Sequence, residues 1–149
     1  MASLESLFKA IGAGDTETVR ALLLADKSLT SQKHRDASLK FEADVELDAY
    51  KFLGAYIGAI TPLQKAILSG QDAIAKDILE RTLKDDLDIA FGGGNTALHL
   101  ATFLGARDIV KSLLERGANR KLTNAKGFAP IDVVDDAEMR ALFADTAPS

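Results

Sequence analysis

The chain has 149 residues, 47% of them apolar and 27% charged, which suits one domain built on one packed core. Eighteen Lys and Arg against twenty-two Asp and Glu leave a net charge of −4, without the positive excess that phosphate contacts require, so nucleic acid is set aside as a partner. Cysteine is absent and histidine occurs only twice, which rules out disulfides, thiolate chemistry and cysteine-ligated metals and leaves little for a histidine-based site.

Along the chain, the first eight residues carry Glu5 and no long apolar run behind a basic flank, so they do not read as a secretory signal. Gly14 followed by Val19-Arg20-Ala21-Leu22-Leu23 marks a first helical unit. Between about 32 and 56 lies a segment with Phe41, Val45, Leu47, Tyr50, Phe52, Leu53 and Tyr56, too apolar for a disordered linker, and 44–53 reads as a short helix. The most apolar run, 52–63, spans twelve residues and is broken by Pro62, well short of the ~20 needed to cross a bilayer, so no membrane is expected.

From there on the chain repeats itself. Thr61-Pro62-Leu63-Gln64-Lys65-Ala66, Thr96-Ala97-Leu98-His99-Leu100-Ala101 and Ala129-Pro130-Ile131-Asp132-Val133-Val134 start at intervals of 35 and then 33. Gly70 and Gly105 keep the same frame, as do Ala75-Lys76-Asp77-Ile78-Leu79 and Val110-Lys111-Ser112-Leu113-Leu114. The first unit's Val19 to Leu23 aligns with Ala75 to Leu79 of the second, an interval of 56 that exceeds one period by 23, so a segment is inserted between the two units.

On these motifs the chain resembles the ankyrin-repeat family. The third unit matches almost residue for residue from Gly94 through Thr96, His99, Gly105 and Ile109 to Gly117, Ala118 and Asn119. The second is good, the first is recognisable in its outer helix, and the last is shortened. The resemblance implies an all-α solenoid of helix-turn-helix units joined by β-hairpin fingers. Units fall at about 1–31, 57–90, 91–123 and 124–145, with the insertion at 32–56 and a tail at 144–149.

The residue types fit that architecture. Thr96 can cap a helix, Pro62 and Pro130 suit a first helical turn, and Gly70 and Gly105 can end a short inner helix in the left-handed conformation. Ile109, Val110, Leu113 and Leu114 form the buried stripe of an outer helix that Gly117 stops. Gly94 and Gly127 supply finger turns. End units need polar outer surfaces, provided by Glu5, Lys9, Asp15 and Glu17 at one end and Asp135, Asp136 and Glu138 at the other. In the last unit the offset drops from 33 to 29, about one helical turn, as for a terminal cap. The start at Met1 together with this cap favours an autonomous domain.

Candidate chemistry is sparse. His99 stands where the resemblance implies an imidazole that bonds backbone and holds the repeat turn. His34, between Lys33 and Arg35, reads as a solvated basic turn. Gly92-Gly93-Gly94-Asn95 lacks the Lys-Ser/Thr ending of a phosphate loop, and Lys84-Asp85-Asp86-Leu87-Asp88 lacks calcium-loop spacing. No catalytic residue, metal or cofactor is expected.

The resemblance places partner contacts on the concave side, at finger tips and the exposed side of inner helices. By alignment these are Tyr56, Ile60, Leu68, Asn95, Phe103, Leu104, Lys126 and Phe128, with Ser69, Gly92, Gly93 and Ala125 beside them. Phe103 and Phe128 have an alternative: packing on the insertion or on each other. The insertion is expected to fold back over the first two units as one wall of the groove; the competing reading is a longer, purely structural finger. Removing residues 32–53 should leave the fold intact and abolish partner binding if the first reading holds.

The expected function is a non-catalytic protein-interaction module, an adaptor or inhibitor, intracellular and monomeric, whose partner is another protein. Two other classes stay open: a small-ligand binder or enzyme under the insertion using Lys40, Tyr50 and Lys51, and a structural protein that self-associates through exposed aromatics.

Overall fold

A computed structural model describes residues 3–35, 40–134 and 136–145. Asp135, residues 36–39 of the insertion and 146–149 of the tail lie outside the described residues.

Each unit begins where the capping chemistry dictates. Helix α1 (Leu4–Ala13) starts with the Ser3 hydroxyl accepting from the Ser6 amide and ends at Gly14, whose φ of 71° is left-handed. Helix α2 (Thr16–Ala25) starts at Asp15, whose carboxyl accepts from the Thr18 amide and hydroxyl; those bonds hold it below the usual carboxylate range. A 3-10 turn (Lys27–Ser31) follows.

Strand β1 (His34–Arg35) then pairs antiparallel with β2 (Ala59–Ile60), in the register His34 to Ile60 and Arg35 to Ala59. By topology the insertion is therefore the outsized tip of the hairpin finger between units one and two. It contains helix α3 (Glu46–Phe52), within the 44–53 window read from the sequence.

The second unit holds α4 (Pro62–Leu68) and α5 (Asp72–Arg81), the third α6 (Ala97–Leu104) and α7 (Arg107–Glu115). In the last, a 3-10 turn (Pro130–Val133) replaces the inner helix and α8 (Ala137–Asp145) closes the outer row. The missing turn thus comes out of the inner helix. Inner elements stack α1 on α4 on α6 on the 3-10 turn, and outer ones stack α2 on α5 on α7 on α8.

The core lies between the two rows. Leu7, Ile11, Val19, Ile78, Leu98, Ile109, Leu113 and Met139 are all buried within it. Each Leu or Ile so buried contributes roughly 1.5–3 kcal/mol, and no unit could gain this without a neighbour to pack on. At the closing end, Arg107 pairs with Asp136 at 3.0 Å and Glu138 at 2.5 Å, tying α8 to α7 on an exposed surface.

The turn chemistry repeats with variations in donor. In unit three the His99 amide donates to the Thr96 hydroxyl, while the Thr96 amide donates to His99 Nδ1 at 3.1 Å. Because a main-chain amide can only donate, Nδ1 is the acceptor and the proton sits on Nε2, which donates to the Phe128 carbonyl at 2.8 Å. Gln64 repeats the pattern: its Oε1 accepts from the Thr61 amide at 2.9 Å and its Nε2 donates to the Ile89 carbonyl at 2.6 Å. In unit four Asp132 accepts from the Ala129 amide at 3.0 Å. His99 is thus a buried structural group, and burial lowers its pKa below 6.5 against the opposing pull of the Phe128 carbonyl and Asp132.

His34 is not a solvated turn residue. It lies on β1, half-buried, its ring 4.9 Å from that of Phe8 in a tilted pair. Pairing with β2 turns the side chain inward onto α1, which charge at the neighbouring positions did not reveal.

Candidate functional site

Two fingers build the platform. Phe91 and Asn95 exchange both backbone hydrogen bonds around the Gly92–Gly94 turn, and the Asn124 amide donates to the Phe128 carbonyl around the next. The fingers touch through the Ala125 amide, which donates to the Gly93 carbonyl at 2.7 Å. Behind them Phe103 and Leu104, near the C-terminal end of α6, are partly buried.

The insertion lies across this platform. Asn95 Nδ2 donates to the Leu53 carbonyl at 2.8 Å, and Asn124 Nδ2 donates to the Phe52 carbonyl at 2.9 Å and to Asn95 Oδ1 at 2.8 Å. Asn124 Oδ1 in turn accepts from the Lys126 and Phe128 amides, which fixes the side chain before it meets anything else. Carbonyls at the end of a helix have no partner within it, and here the two fingers supply one each.

Aromatic contacts complete the seat. The Phe52 ring stands 5.3 Å from Phe128 and 6.4 Å from Phe103, both tilted, and Phe41 meets Phe103 edge-on at 6.2 Å. These are separations at which aromatic pairs attract beyond simple burial. The chain then crosses over Gly92: a β-carbon placed on that residue would stand 2.2 Å from the Tyr56 carbonyl oxygen. Only glycine admits this crossing.

The expected partner residues divide accordingly. Tyr56 and Lys126 are exposed, Tyr56 with its hydroxyl 3.4 Å from the Arg35 guanidinium. Leu68 and Leu104 border a depression between units two and three, of about 330 Å³, together with Glu42 and Gly70. Phe103 and Phe128 take the alternative raised for them and pack on the insertion. Ile60 and Asn95 need correction as surface residues. Each is only 1% exposed, Ile60 because β2 points it into the core and Asn95 because its amide is spent on Leu53 and Asn124.

The insertion also departs from its expected course. It meets unit one through His34 and Phe8 and unit two through β2 and Glu42, but its helix ends further along, on the fingers of units three and four. Phe41, Phe52, Leu53 and Asn124 are the members that sequence reading did not assign to the site. The pairing of Asn95 with Asn124 escaped notice because the two occupy different arms of successive fingers, so their separation falls short of the repeat period and no alignment of units pairs them.

Lys40, Tyr50 and Lys51 are exposed; the Tyr50 hydroxyl donates to Glu46 at 2.6 Å and the Lys51 ammonium stands over the Phe52 ring at 5.1 Å. Asp88, in the acidic run before finger three, accepts from the Asn119 amide at 2.9 Å. Among the described residues no group of three or more His, Asp or Glu could hold a metal ion, and no helix is long and apolar enough to cross a membrane.

Stacked helix pairs with projecting fingers define an α-solenoid repeat protein. Its type is set by comparison: the family described as "Ankyrin repeats (3 copies)" matches residues 7–124, and the chain belongs to the ankyrin-repeat family. Among solved structures it is similar to the ankyrin repeat domain of Bcl-3, described as a unique member of the IkappaB protein family, with a TM-score of 0.69 and 19% identity. That match covers 93% of this chain and 50% of the other, so the chain spans about half the length of the structure it resembles. At such identity the likeness is one of fold.

Proposed function

We propose that this chain is a non-catalytic protein-binding module, an adaptor or inhibitor, that holds one partner protein on its concave face where the insertion meets the fingers. Family membership supports protein binding in general. The observation that carries the particular surface is the insertion itself: it is seated across fingers three and four while Leu47 and Tyr56 stay 82% and 61% exposed. Large apolar side chains left outward on a segment anchored to a rigid scaffold are the usual makings of a binding hot spot. A chain without cysteine suits a reducing compartment, and we place it inside the cell as a monomer.

The test is affinity capture from the source extract followed by reconstitution with the purified partner. Wild type is compared with a Leu47→Asp, Tyr56→Ser variant and with a Phe103→Glu, Phe128→Glu variant, each matched for helical content. A one-to-one complex with wild type that weakens at least tenfold in the first variant supports this surface. Undiminished binding in both variants moves recognition to the convex outer helices and refutes it. Light scattering across a concentration series checks the monomer.

A further inference from the structure

We propose that the groove over units three and four is a peptide-binding site occupied in cis by this chain's own residues 52–53, and that a partner segment of the same chemistry exchanges with them. That chemistry is an aromatic side chain followed by an aliphatic one, at the end of a short helix that offers two successive backbone carbonyls. The inference rests on the protein-binding reading above and names its ligand class.

The site is built to read such a segment. Asn124 is held by two amides of its own finger and Asn95 is held by Asn124, so both side-chain donors face the groove in fixed positions. Phe128 and Phe103 form the slot for the aromatic ring, and Gly92 lets the ligand backbone pass at a distance no other residue permits. The inner and outer rows pack on one another without α3.

The occupant is short and is anchored at its C-terminal end, where Leu53 is buried and the Phe52 and Leu53 carbonyls are held. Helix α3 has seven residues and no side-chain hydrogen bond at its N-cap, and a helix of two turns is marginal by itself in water. It buries Ala49 and half-buries Phe52 on one side while Leu47, Asp48, Tyr50 and Lys51 face solvent. Among the described residues it is the α-helix that lacks a broad contact with another element. Gly54 and Gly58, with φ of 96° and 68°, lie where it leaves the groove and give the strap turning points.

The tether sets the competition. An occupant joined through a short linker acts at an effective concentration of about millimolar, so a free peptide of equal intrinsic affinity is excluded until the cis segment is weakened. The probe is a fluorescein-labelled synthetic peptide of residues 41–56, measured by anisotropy against three full-length proteins. These are wild type, an opened variant (Phe52→Ser, Leu53→Ser), and the opened variant carrying Asn124→Ala and Phe128→Ala.

The opened variant is expected to bind at least tenfold more tightly than wild type, and the groove substitutions, or Phe52→Ala in the peptide, to remove the gain. Failure of the helical, opened variant to bind overturns the proposal, as does equal binding by wild type. Should the opened variant not fold, amide exchange on wild type decides: residues 49–54 are expected to exchange at least tenfold faster than α6 and α7, and exchange at the global rate overturns it. Neither readout uses the partner, so failure here is distinct from failure of the proposed function.

Discussion

Gly92→Ala should cost far more than any other glycine substitution in the fingers, and Gly127→Ala provides the measure. Both residues are left-handed, with φ of 54° and 84°, and a side chain in that region costs about 1–2 kcal/mol. At Gly127 nothing lies within 4 Å of the added carbon, so that term is the whole expected effect. At Gly92 the carbon would stand 2.2 Å from the Tyr56 carbonyl, which must retreat by roughly 0.8 Å to reach even a 3.0 Å contact. The retreat pulls on a segment whose neighbouring Phe52 and Leu53 carbonyls are held at 2.9 and 2.8 Å, and each group left without its partner costs about 1–3 kcal/mol. Gly92→Ala is therefore expected to exceed Gly127→Ala by at least ~2 kcal/mol in urea unfolding followed by circular dichroism, with faster amide exchange at residues 49–54. Equal costs for the two variants would show that the crossing over Gly92 carries no energy and would remove the basis for a groove shaped to the insertion.

His99 makes stability depend on pH. Its folded pKa lies below 6.5, so above that value both states are neutral and stability is full; as pH falls through 6.5 the unfolded chain binds the proton first and stability drops until the folded pKa is passed. Unfolding series from pH 8 to pH 5 on wild type and His99→Gln test this: glutamine, which does the same work at position 64, should remove that contribution at a cost below about 1 kcal/mol. His99→Ala leaves the Thr96 amide without its partner and takes one of two donors from the Phe128 carbonyl, which keeps the Asn124 amide, and should cost about 1–3 kcal/mol. Leu113→Ala, at a fully buried position, should cost about 2–5 kcal/mol by the same assay, with a smaller loss contradicting a packed interface between the rows. Removing residues 32–53 takes away β1 and the buried Phe41, Ala49 and Leu53, so the truncated chain should keep its helical signal yet lose about 3 kcal/mol or more of stability. A truncation as stable as wild type would mean that the insertion adds nothing to the core.

The repeat frame was legible because each of its determinants is local. A threonine that caps the helix beginning one residue later, a glycine that ends it in the left-handed region and an apolar stripe at helical spacing act within one turn or two, so Thr61, Thr96, Gly105 and the Ile109 to Leu114 stripe could be placed from the sequence. The role of His99 came from its family position and was met by its two hydrogen bonds. His34 failed the same kind of reading because its environment comes from Phe8 on α1 and Ile60 on β2, both far from it along the chain, whereas its charged sequence neighbours do not touch that question.

What the sequence alone determined is the all-α solenoid of ankyrin repeats and the existence of a non-repeating segment rich in apolar residues. Only the tertiary structure decided where that segment goes and what it does to the groove. Its course is set by Phe52 against Phe103 and Phe128, and by two asparagines that meet across neighbouring fingers and reach back to the carbonyls of Leu53 and Phe52, long-range contacts that follow no period. Helix propensity and repeat spacing are short-range properties and carry no information about such pairings. The partner residues read from the family pattern were therefore assigned to a face part of which, Asn95 with Phe103 and Phe128, already holds the chain's own Phe52 and Leu53.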